Sequence, residues 1–260
     1  MFRKIIVRLF RTGELIVGTL REIAKKIPVI PFVYKALRGR YVRYQAKSKS
    51  MRDIFTNIYR NNAFGGKDSV SGQGSDVHQT RVIASELPAL FKALTISTML
   101  DIPCGDFYWM KGVDLNNIAY TGADIVKELI RGNSAKYARD GVGFQYLNLI
   151  KDKLPKVDLI FCRDCLVHFS FADIGFALDN VCNSQSDYFL TTTFTGRKDN
   201  HDIVTGQWRA INLELAPFGL PKPLKIIIEG CTEGDGAYGD KALGLWRIAD
   251  IRESLKRRCA

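Results

Sequence analysis

The strongest constraint on the fold is an alternation of short apolar runs with helix-compatible segments from residue 97 onward. The strand-like runs are 97–102, 118–123, 144–149, 157–162, 187–194, 224–229 and 242–248. Helix-compatible segments lie between several of them, at 125–139, 171–183 and, less clearly, 107–113. Parallel strands need crossover connections, which are usually right-handed and helical. We therefore expect an α/β protein with a Rossmann-like, doubly wound, mainly parallel seven-stranded sheet.

The last two runs differ from the others in their connection. Only the segment GCTEGDGAYGDK, residues 230–241, separates them, and it is too short to hold a crossover helix. Strands joined by a short connection pair in antiparallel fashion. We expect a C-terminal antiparallel hairpin at one edge of the sheet.

The net charge of +11 is concentrated at the N-terminus. Residues 1–52 contain 14 Lys and Arg against two acids, whereas the other 208 residues carry 24 basic and 25 acidic side chains. Helical spacing over residues 2–27 predicts a basic amphipathic helix that ends before Pro28. Such a helix lies at a membrane interface or packs on protein, and the sequence favours neither. The balanced remainder makes nucleic acid an unlikely partner.

Composition divides the chain into three parts. Residues 1–52 form the basic extension, 53–84 a glycine-rich lid or linker, and 85–260 a domain of catalytic size. Residues 61–80 lack periodicity and read as a loop, and 85–94 read as a helix. We expect the loop to cover a functional site, as long loops in compact domains often do.

Six cysteines stand in a chain whose opening has neither a secretion-type apolar stretch nor an 18-residue apolar span. Free thiols in a reducing compartment are the simplest interpretation, so we expect a cytoplasmic protein, with peripheral membrane contact through residues 1–52 as an option. Cys162 and Cys165 match the C-x-x-C spacing, but a second pair at matching spacing is absent. We expect no metal.

The turn after the first strand is the natural place for a ligand, because doubly wound sheets bind ligands beyond the carboxyl ends of their strands. This turn reads MLDIPCGD, and Asp124 closes the next strand 19 residues after Gly105. A pyrophosphate loop needs three glycines, whereas Pro103 and Phe107 flank Gly105 here. The turn therefore suits a ligand that has a ribose but no phosphates.

These motifs, in this order, resemble those of the class I S-adenosylmethionine-dependent methyltransferases over residues 85–250. The residues from Asp101 to Phe107 keep the acid and the middle glycine of the family's first motif, acid-x-Gly-x-Gly-x-Gly. Asp124 corresponds to the acid that binds the ribose, and Asn148 stands where an adenine-reading residue, usually Asp, is found. The run LPKVDLIFCRDCLVHFS matches the family's fourth strand and the polar segment after it.

The resemblance implies S-adenosyl-L-methionine as cofactor and a methyltransferase-like catalytic domain at 85–260. Asp101 and Asp106 are expected to attract the methionine ammonium and the sulfonium, and Asn148 to offer adenine an amide oxygen. The implied cofactor-binding residues are Asp101, Pro103, Cys104, Gly105, Asp106, Asp124, Ile125, Asn148 and Cys162. Asp124 has an alternative role as the N-cap of the following helix.

Three polar residues after the fourth strand are candidates for catalysis: Arg163, Asp164 and His168. An oxygen nucleophile loses a proton when it is methylated, and Asp164 or His168 is suited to accept it. The alternatives are a His168 bonded to backbone for structural reasons and an Arg163 that only pairs with Asp164.

The long polar and aromatic segment after the fifth strand is expected to bind the acceptor. Its candidate contacts are Trp208, Arg209, Asn200 and Asn212. An aromatic ring with amides suits a small polar molecule or a glycan. The sequence thus predicts a methyltransferase acting on an oxygen of a small molecule or glycan. The alternatives are a catalytically lapsed cofactor-binding or membrane-adaptor protein and a nicotinamide-dependent sugar-nucleotide enzyme.

Overall fold

The computed structural model describes residues 50–259. The amphipathic helix expected at 2–27, and with it the membrane contact, lies outside the described residues. None of the helices within 50–259 combines the length and apolarity needed to cross a bilayer.

The protein is built on one seven-stranded sheet with the order β3-β2-β1-β4-β5-β7-β6. The strands are β1 Thr98–Asp101, β2 Ala119–Asp124, β3 Val142–Tyr146, β4 Leu159–Cys162, β5 Tyr188–Phe194, β6 Lys225–Ile228 and β7 Lys241–Arg247. The first five pair in parallel, whereas β7 lies antiparallel between β5 and β6. The expected fold class and the C-terminal hairpin are confirmed.

Within residues 50–259, five α-helices accompany the sheet: α1 Met51–Arg60, α2 Val77–Ala93, α3 Lys127–Tyr137, α4 Phe171–Asn183 and α5 Ile248–Cys259. Helix α4 has the predicted bounds, and the Ser170 hydroxyl caps it by accepting from the Asp173 N–H. The expected helix at 107–113 is reduced to a single 3₁₀ turn at Met110–Gly112.

Both faces of the sheet are covered by apolar side chains. Successive residues of a strand point to opposite faces, so Leu100 joins one cluster while Met99 joins the other. Helices α4 and α5 complete the first cluster, and α2 completes the second. The central strand β4 is buried along its whole length, as expected for a parallel strand covered on both sides.

Phe107 stands at the position of the last glycine of the motif in the turn after β1, and its conformation shows how the turn tolerates a side chain there. Its backbone has a φ of 58°, yet its side chain is only 1% exposed. The ring packs against Tyr120, Tyr137 and Phe144, with centroid distances of 5.1–5.4 Å. The bulky residue therefore belongs to the core beneath the turn and does not occupy the ligand side.

Candidate active site

A cleft of about 1030 Å³, counted out to open solvent, lies at the carboxyl ends of β1, β2 and β4. We call it the first cavity. Eight of the nine predicted cofactor residues line it: Asp101, Pro103, Cys104, Gly105, Asp106, Asp124, Ile125 and Asn148. Cys162 is the exception, because its side chain is fully buried within β4 and lines neither cavity described here.

Gly105 is required by both conformation and space. Its φ is +54°, a region that side chains rarely adopt, and an added Cβ would lie 2.2 Å from the Ser71 Oγ. The carbonyl of Gly105 accepts a hydrogen bond of 2.8 Å from the amide of Asn133 on α3. Sequence reasoning missed Asn133, which holds the turn from beneath.

Two backbone N–H groups hold the side chain of Asp124 in place. Its carboxylate accepts from the Val126 N–H at 2.8 Å and from the Gly105 N–H at 3.2 Å. Burial raises the pKa of Asp124 to about 6, and these two bonds oppose the rise. The N-cap residue of α3 is Val126, so the alternative N-cap role of Asp124 is wrong.

Asp101 is deeply buried, with 3% of its surface exposed. Its carboxyl accepts a 2.5 Å hydrogen bond from the Tyr120 hydroxyl of β2. Burial raises its pKa to about 8, and the Tyr120 bond opposes this rise. The raised pKa favours the protonated carboxyl in the unliganded protein, and the expected role of Asp101 in attracting the cofactor's cations stays a prediction.

Asn148 lies two residues beyond β3 in a tight turn. Its side-chain oxygen accepts from the Ile150 N–H at 3.0 Å, while its own N–H donates to Asp152 at 2.7 Å. The oxygen expected to read adenine is thus already engaged by backbone. What the amide retains for a ligand in the first cavity is its NH₂ group, a donor, and one further lone pair.

Asp106 holds a surface segment over the cofactor turn. Its carboxylate accepts from the Ser69 Oγ at 2.8 Å, the Val70 N–H at 3.0 Å and the Ser71 Oγ at 3.3 Å. The Tyr108 N–H is a fourth donor to this group, and the expected role of Asp106 in attracting the cofactor's cations stays a prediction. We refer to residues 64–75 as the covering segment.

Helix α1 forms another wall of the first cavity through Met51, Phe55, Ile58 and Tyr59. Phe55 packs against Phe169, with their ring centroids 5.9 Å apart. The helix also carries Arg60, which pairs with Glu128 on α3. No part of this helix was predicted from the sequence.

A second cavity, with about 840 Å³ of space counted out to solvent, adjoins the first. The two share five lining residues: Phe64, Ser71, Ser75, Asp164 and His168. Asp164 and His168, both predicted for catalysis, thus lie where the two cavities meet.

Asp164 belongs to a cluster of four charged groups. Its Oδ2 lies 2.6 Å from the Lys241 Nζ and 3.2 Å from the Arg163 Nη1. Arg163 in turn binds Glu229 at 2.6 Å, and Lys241 lies 3.6 Å from the same carboxylate. Burial opposes the charge on Asp164, but Arg163 and Lys241 together hold its pKa well below the usual range.

Arg163 acts within this cluster and on the covering segment. It is buried, and its Nη2 donates to the Gly74 carbonyl at 2.8 Å. A Cβ at Gly74 would lie 3.0 Å from the Asp164 carboxylate and 3.2 Å from the Lys241 ammonium. Arg163 thus joins the backbone of the covering segment, at Gly74, to the cluster of charged groups. Its predicted catalytic role remains a prediction.

His168 ends a 3₁₀ turn and is held on one side by backbone. Its Nδ1 lies 2.9 Å from the Gln207 carbonyl, which makes Nδ1 the protonated nitrogen and leaves Nε2 as an acceptor. Phe64 stacks on the ring at 4.4 Å. Burial lowers the pKa of His168 to about 4, so the imidazole is neutral near pH 7.

The four predicted acceptor residues have different surroundings. Trp208 lines the second cavity and is 43% exposed. Arg209 is buried and donates to the Leu166 and Phe169 carbonyls. The Asn200 side chain donates to the Asn212 carbonyl and accepts from the Asn212 N–H, both at 2.9 Å, while the Asn212 side-chain oxygen accepts from the Glu214 N–H at 3.0 Å. The structure therefore brings only Trp208 of these four to a cavity.

Within residues 50–259, no group of three or more His, Cys, Asp or Glu side chains has the arrangement of a metal site. The described cysteines Cys104, Cys162, Cys165, Cys182 and Cys231 are all free and buried. Cys162 ends strand β4, Cys165 follows it, and both belong to the apolar core.

No protein-family model and no curated protein matches this sequence. Solved structures do match. Human N-acetylserotonin methyltransferase in complex with SAM shares 15% identity at a TM-score of 0.52, over 77% of this chain and 60% of that one. The Burkholderia thailandensis 1,6-didemethyltoxoflavin-N1-methyltransferase, with its substrate and S-adenosylhomocysteine bound, shares 16% identity at a TM-score of 0.53, over 75% and 86%.

Proposed function

Because the chain has the fold of class I S-adenosylmethionine-dependent methyltransferases, we propose that it methylates an oxygen atom of a small molecule or glycan. One observation carries the proposal. The first cavity contains the acid, glycine and ribose-type acid of a cofactor site, and it meets a second cavity at Asp164 and His168. Methyl transfer needs two ligands to meet at one point, and this arrangement provides it.

The residues of the first cavity fit the proposed cofactor. Asp124 offers carboxylate oxygens to a ribose, and Gly105 leaves backbone bare where a side chain would clash. Asp101 gains charge when a cation approaches, because its raised pKa of about 8 reflects burial without a cationic partner. When bound, S-adenosylmethionine supplies a methyl group whose bond to sulfur breaks as the oxygen–carbon bond forms, leaving a neutral thioether.

His168 is the stronger candidate for accepting the acceptor's proton. Its Nε2 is unprotonated at neutral pH, whereas Asp164 is already bound by Lys241 and Arg163. The fixed Gln207 bond selects the tautomer that a base requires. Asp164 then acts through its negative charge, which stabilises the His168 imidazolium once it has formed.

The covering segment and helix α1 enclose the site. Ser69 and Ser75 are buried, at 1% and 8% exposure, although they lie in a glycine-rich loop. Phe64, Val70 and α1 place apolar surface around the first cavity. Excluding water in this way strengthens the electrostatic interactions within the site.

The nicotinamide alternative lacks support in the turn. A pyrophosphate needs three glycines, because its phosphates contact bare backbone. Here Pro103 lines the cavity in place of one glycine, and Phe107, in place of another, packs into the core. The free, buried cysteines support our proposal of a cytoplasmic protein. A peripheral membrane role for residues 1–52 remains a proposal from their sequence alone.

The test is transfer of an isotopically labelled methyl group from S-adenosylmethionine to acceptors in a cell extract. We expect His168→Gln to lower the rate by about 10²- to 10⁴-fold, the range for loss of a general base, without weakening cofactor binding. His201→Gln is the matched control, because that side chain is exposed. Equal rates for the two variants would remove His168 from the mechanism, and no transfer by the unaltered chain would refute the proposed activity.

A further inference from the structure

The wall of the second cavity is formed by three aromatic rings from different parts of the chain. Trp208 and Tyr238 lie 4.9 Å apart, and Phe194 contacts both at 6.1 and 6.2 Å, all in edge-to-face contact. Phe194 is buried, whereas Trp208 is 43% exposed and Tyr238 is half-buried. Edge-to-face packing fixes these rings relative to one another. Arg197, paired with Asp240, lies over the Phe194 and Tyr238 rings at 5.4 and 5.8 Å, so the ring surface left to a ligand is mainly that of Trp208.

The charges around this cavity do not balance. Lys241 and Arg163 carry two positive charges, and Asp164 and Glu229 neutralise them by direct contact. Glu233 also lines the cavity, and the structure gives its carboxylate one hydrogen bond, from the Cys231 thiol at 3.5 Å. Among the described groups, Glu233 has no ion pair within 4.0 Å; it interacts with Arg163 only at longer range and leaves the cluster with one net negative charge.

The charges around the second cavity disfavour binding of an anionic ligand. The Lys241 ammonium, the cation that lines the cavity, is 5% exposed and contacts two carboxylates. Bringing a phosphate or carboxylate here would place it near Asp164 and Glu233 without a free cation to pair with. Like charges at close range are unfavourable, whereas a cation gains from both the carboxylates and the aromatic faces.

We propose that the second cavity takes a hydroxylated amine, with its ammonium held by Glu233 and the Trp208 ring and its hydroxyl at His168. This inference rests on the proposed function, of which it names the acceptor class. The hydroxyl is the group to be methylated and gives its proton to the His168 Nε2. The amine remains charged and unmodified, and serves recognition only.

The test compares each amine with its neutral N-acetyl partner: tyramine, glucosamine and ethanolamine, each titrated calorimetrically into the full chain with and without S-adenosylhomocysteine. We expect at least one amine to bind about tenfold more tightly than its N-acetyl partner, as loss of a charged contact implies. Glu233→Gln should abolish this ratio, and Trp208→Ala should weaken both members of the pair. Glu253→Gln on α5 is the matched control, because its side chain is 67% exposed.

The inference is overturned if no amine exceeds its N-acetyl partner, if none binds in the millimolar range, or if Glu233→Gln keeps the ratio. The proposed function has a separate criterion within the same experiment. Binding of S-adenosylhomocysteine without any preference for amines would overturn the acceptor class alone. Absence of S-adenosylhomocysteine binding would count against the methyltransferase, while the amine titrations would still decide the chemistry of the second cavity.

Discussion

At the scale of single residues, Asp101 shows how one carboxyl can serve both the fold and the site. It ends β1 beside the first cavity, and its hydrogen bond to Tyr120 links two neighbouring strands. A buried carboxyl without a cation is costly when charged, which is why its pKa is raised. A cationic cofactor would supply a positive charge beside Asp101. Binding of the cofactor would therefore lower the cost of ionising this buried carboxyl.

The raised pKa values predict how stability depends on pH. Asp101, at about 8, and Asp124, at about 6, hold protons in the folded state that the unfolded chain releases near pH 4. The contribution of these groups to the free energy of unfolding is therefore fully present below pH 4 and is lost as pH rises toward 8. Asp101→Asn should flatten this decline, an effect on the order of a few kcal/mol.

Urea unfolding of Asp101→Asn and of the unaltered chain at several pH values between 4.5 and 8.5 measures this effect. Asp140→Asn provides the control, because Asp140 is exposed in the turn before β3. If Asp101→Asn and Asp140→Asn showed the same pH dependence, the buried carboxyl would not be the cause.

At the scale of elements, the covering segment is the clearest case of a loop fixed by polar contacts. Asp76 accepts from the N–H groups of Lys67 and Asp68, while Asp106 binds residues 69–71. Arg163 holds the carbonyl of Gly74. The conformation of the covering segment therefore depends on three side chains, those of Asp76, Asp106 and Arg163.

Asp106→Asn should loosen the covering segment. An amide has one acceptor oxygen in place of two, so part of the bonding to Ser69, Val70 and Ser71 is lost. We expect faster hydrogen exchange of the amides of residues 64–75, by about tenfold for a loss of about 1.4 kcal/mol. Asp114→Asn is the control, because Asp114 is exposed and caps a separate turn at Asn116. Unchanged exchange in Asp106→Asn would contradict the anchoring role.

The elements that the sequence predicted are those with strong periodicity or strong caps. Helix α4 was found with its bounds because Ser170 precedes a regular apolar pattern. Helix α2 begins at Val77, eight residues before the predicted start at residue 85; its first turn after Val77 is polar, but Val82, Ile83 and Ala84 already belong to its apolar pattern. Helix α1 is an exception, missed although Ser50 caps it and Ile54, Phe55 and Ile58 stand at helical spacing. Helix α5 went unpredicted because its sequence is rich in charged residues and its packing is decided by the rest of the fold.

At the scale of the whole molecule, topology explains why a degenerate motif could still be located. Parallel strands end at the same edge, so Asp101, Asp124 and Asp164 converge although they are far apart in the sequence. Glu229 and Lys241 join them because β6 ends and β7 begins at that edge, a consequence of antiparallel pairing. Sequence spacing gave no sign of this pairing partner for Asp164, because it depends on strand order and register.

The acceptor side was the least predictable part of the site. Polar side chains such as Asn200, Asn212 and Arg209 can satisfy either a ligand or a loop, and here they satisfy the loop. The residues that line the second cavity beside Trp208 include Phe64 and Glu233, which lie on other loops. Composition alone does not tell which face of an irregular segment reaches a cavity.

We propose that the first cavity binds S-adenosylmethionine, and calorimetric titration of the full chain with S-adenosylmethionine and S-adenosylhomocysteine measures this binding. We expect both to bind, and Asp124→Asn to weaken binding by about 10- to 100-fold, since a charged hydrogen bond contributes about 1.5–3 kcal/mol. Asp140→Asn, exposed and away from the cavity, should bind like the unaltered chain. Absence of binding by the unaltered chain, or equal affinities of the Asp124 and Asp140 variants, would contradict the claim.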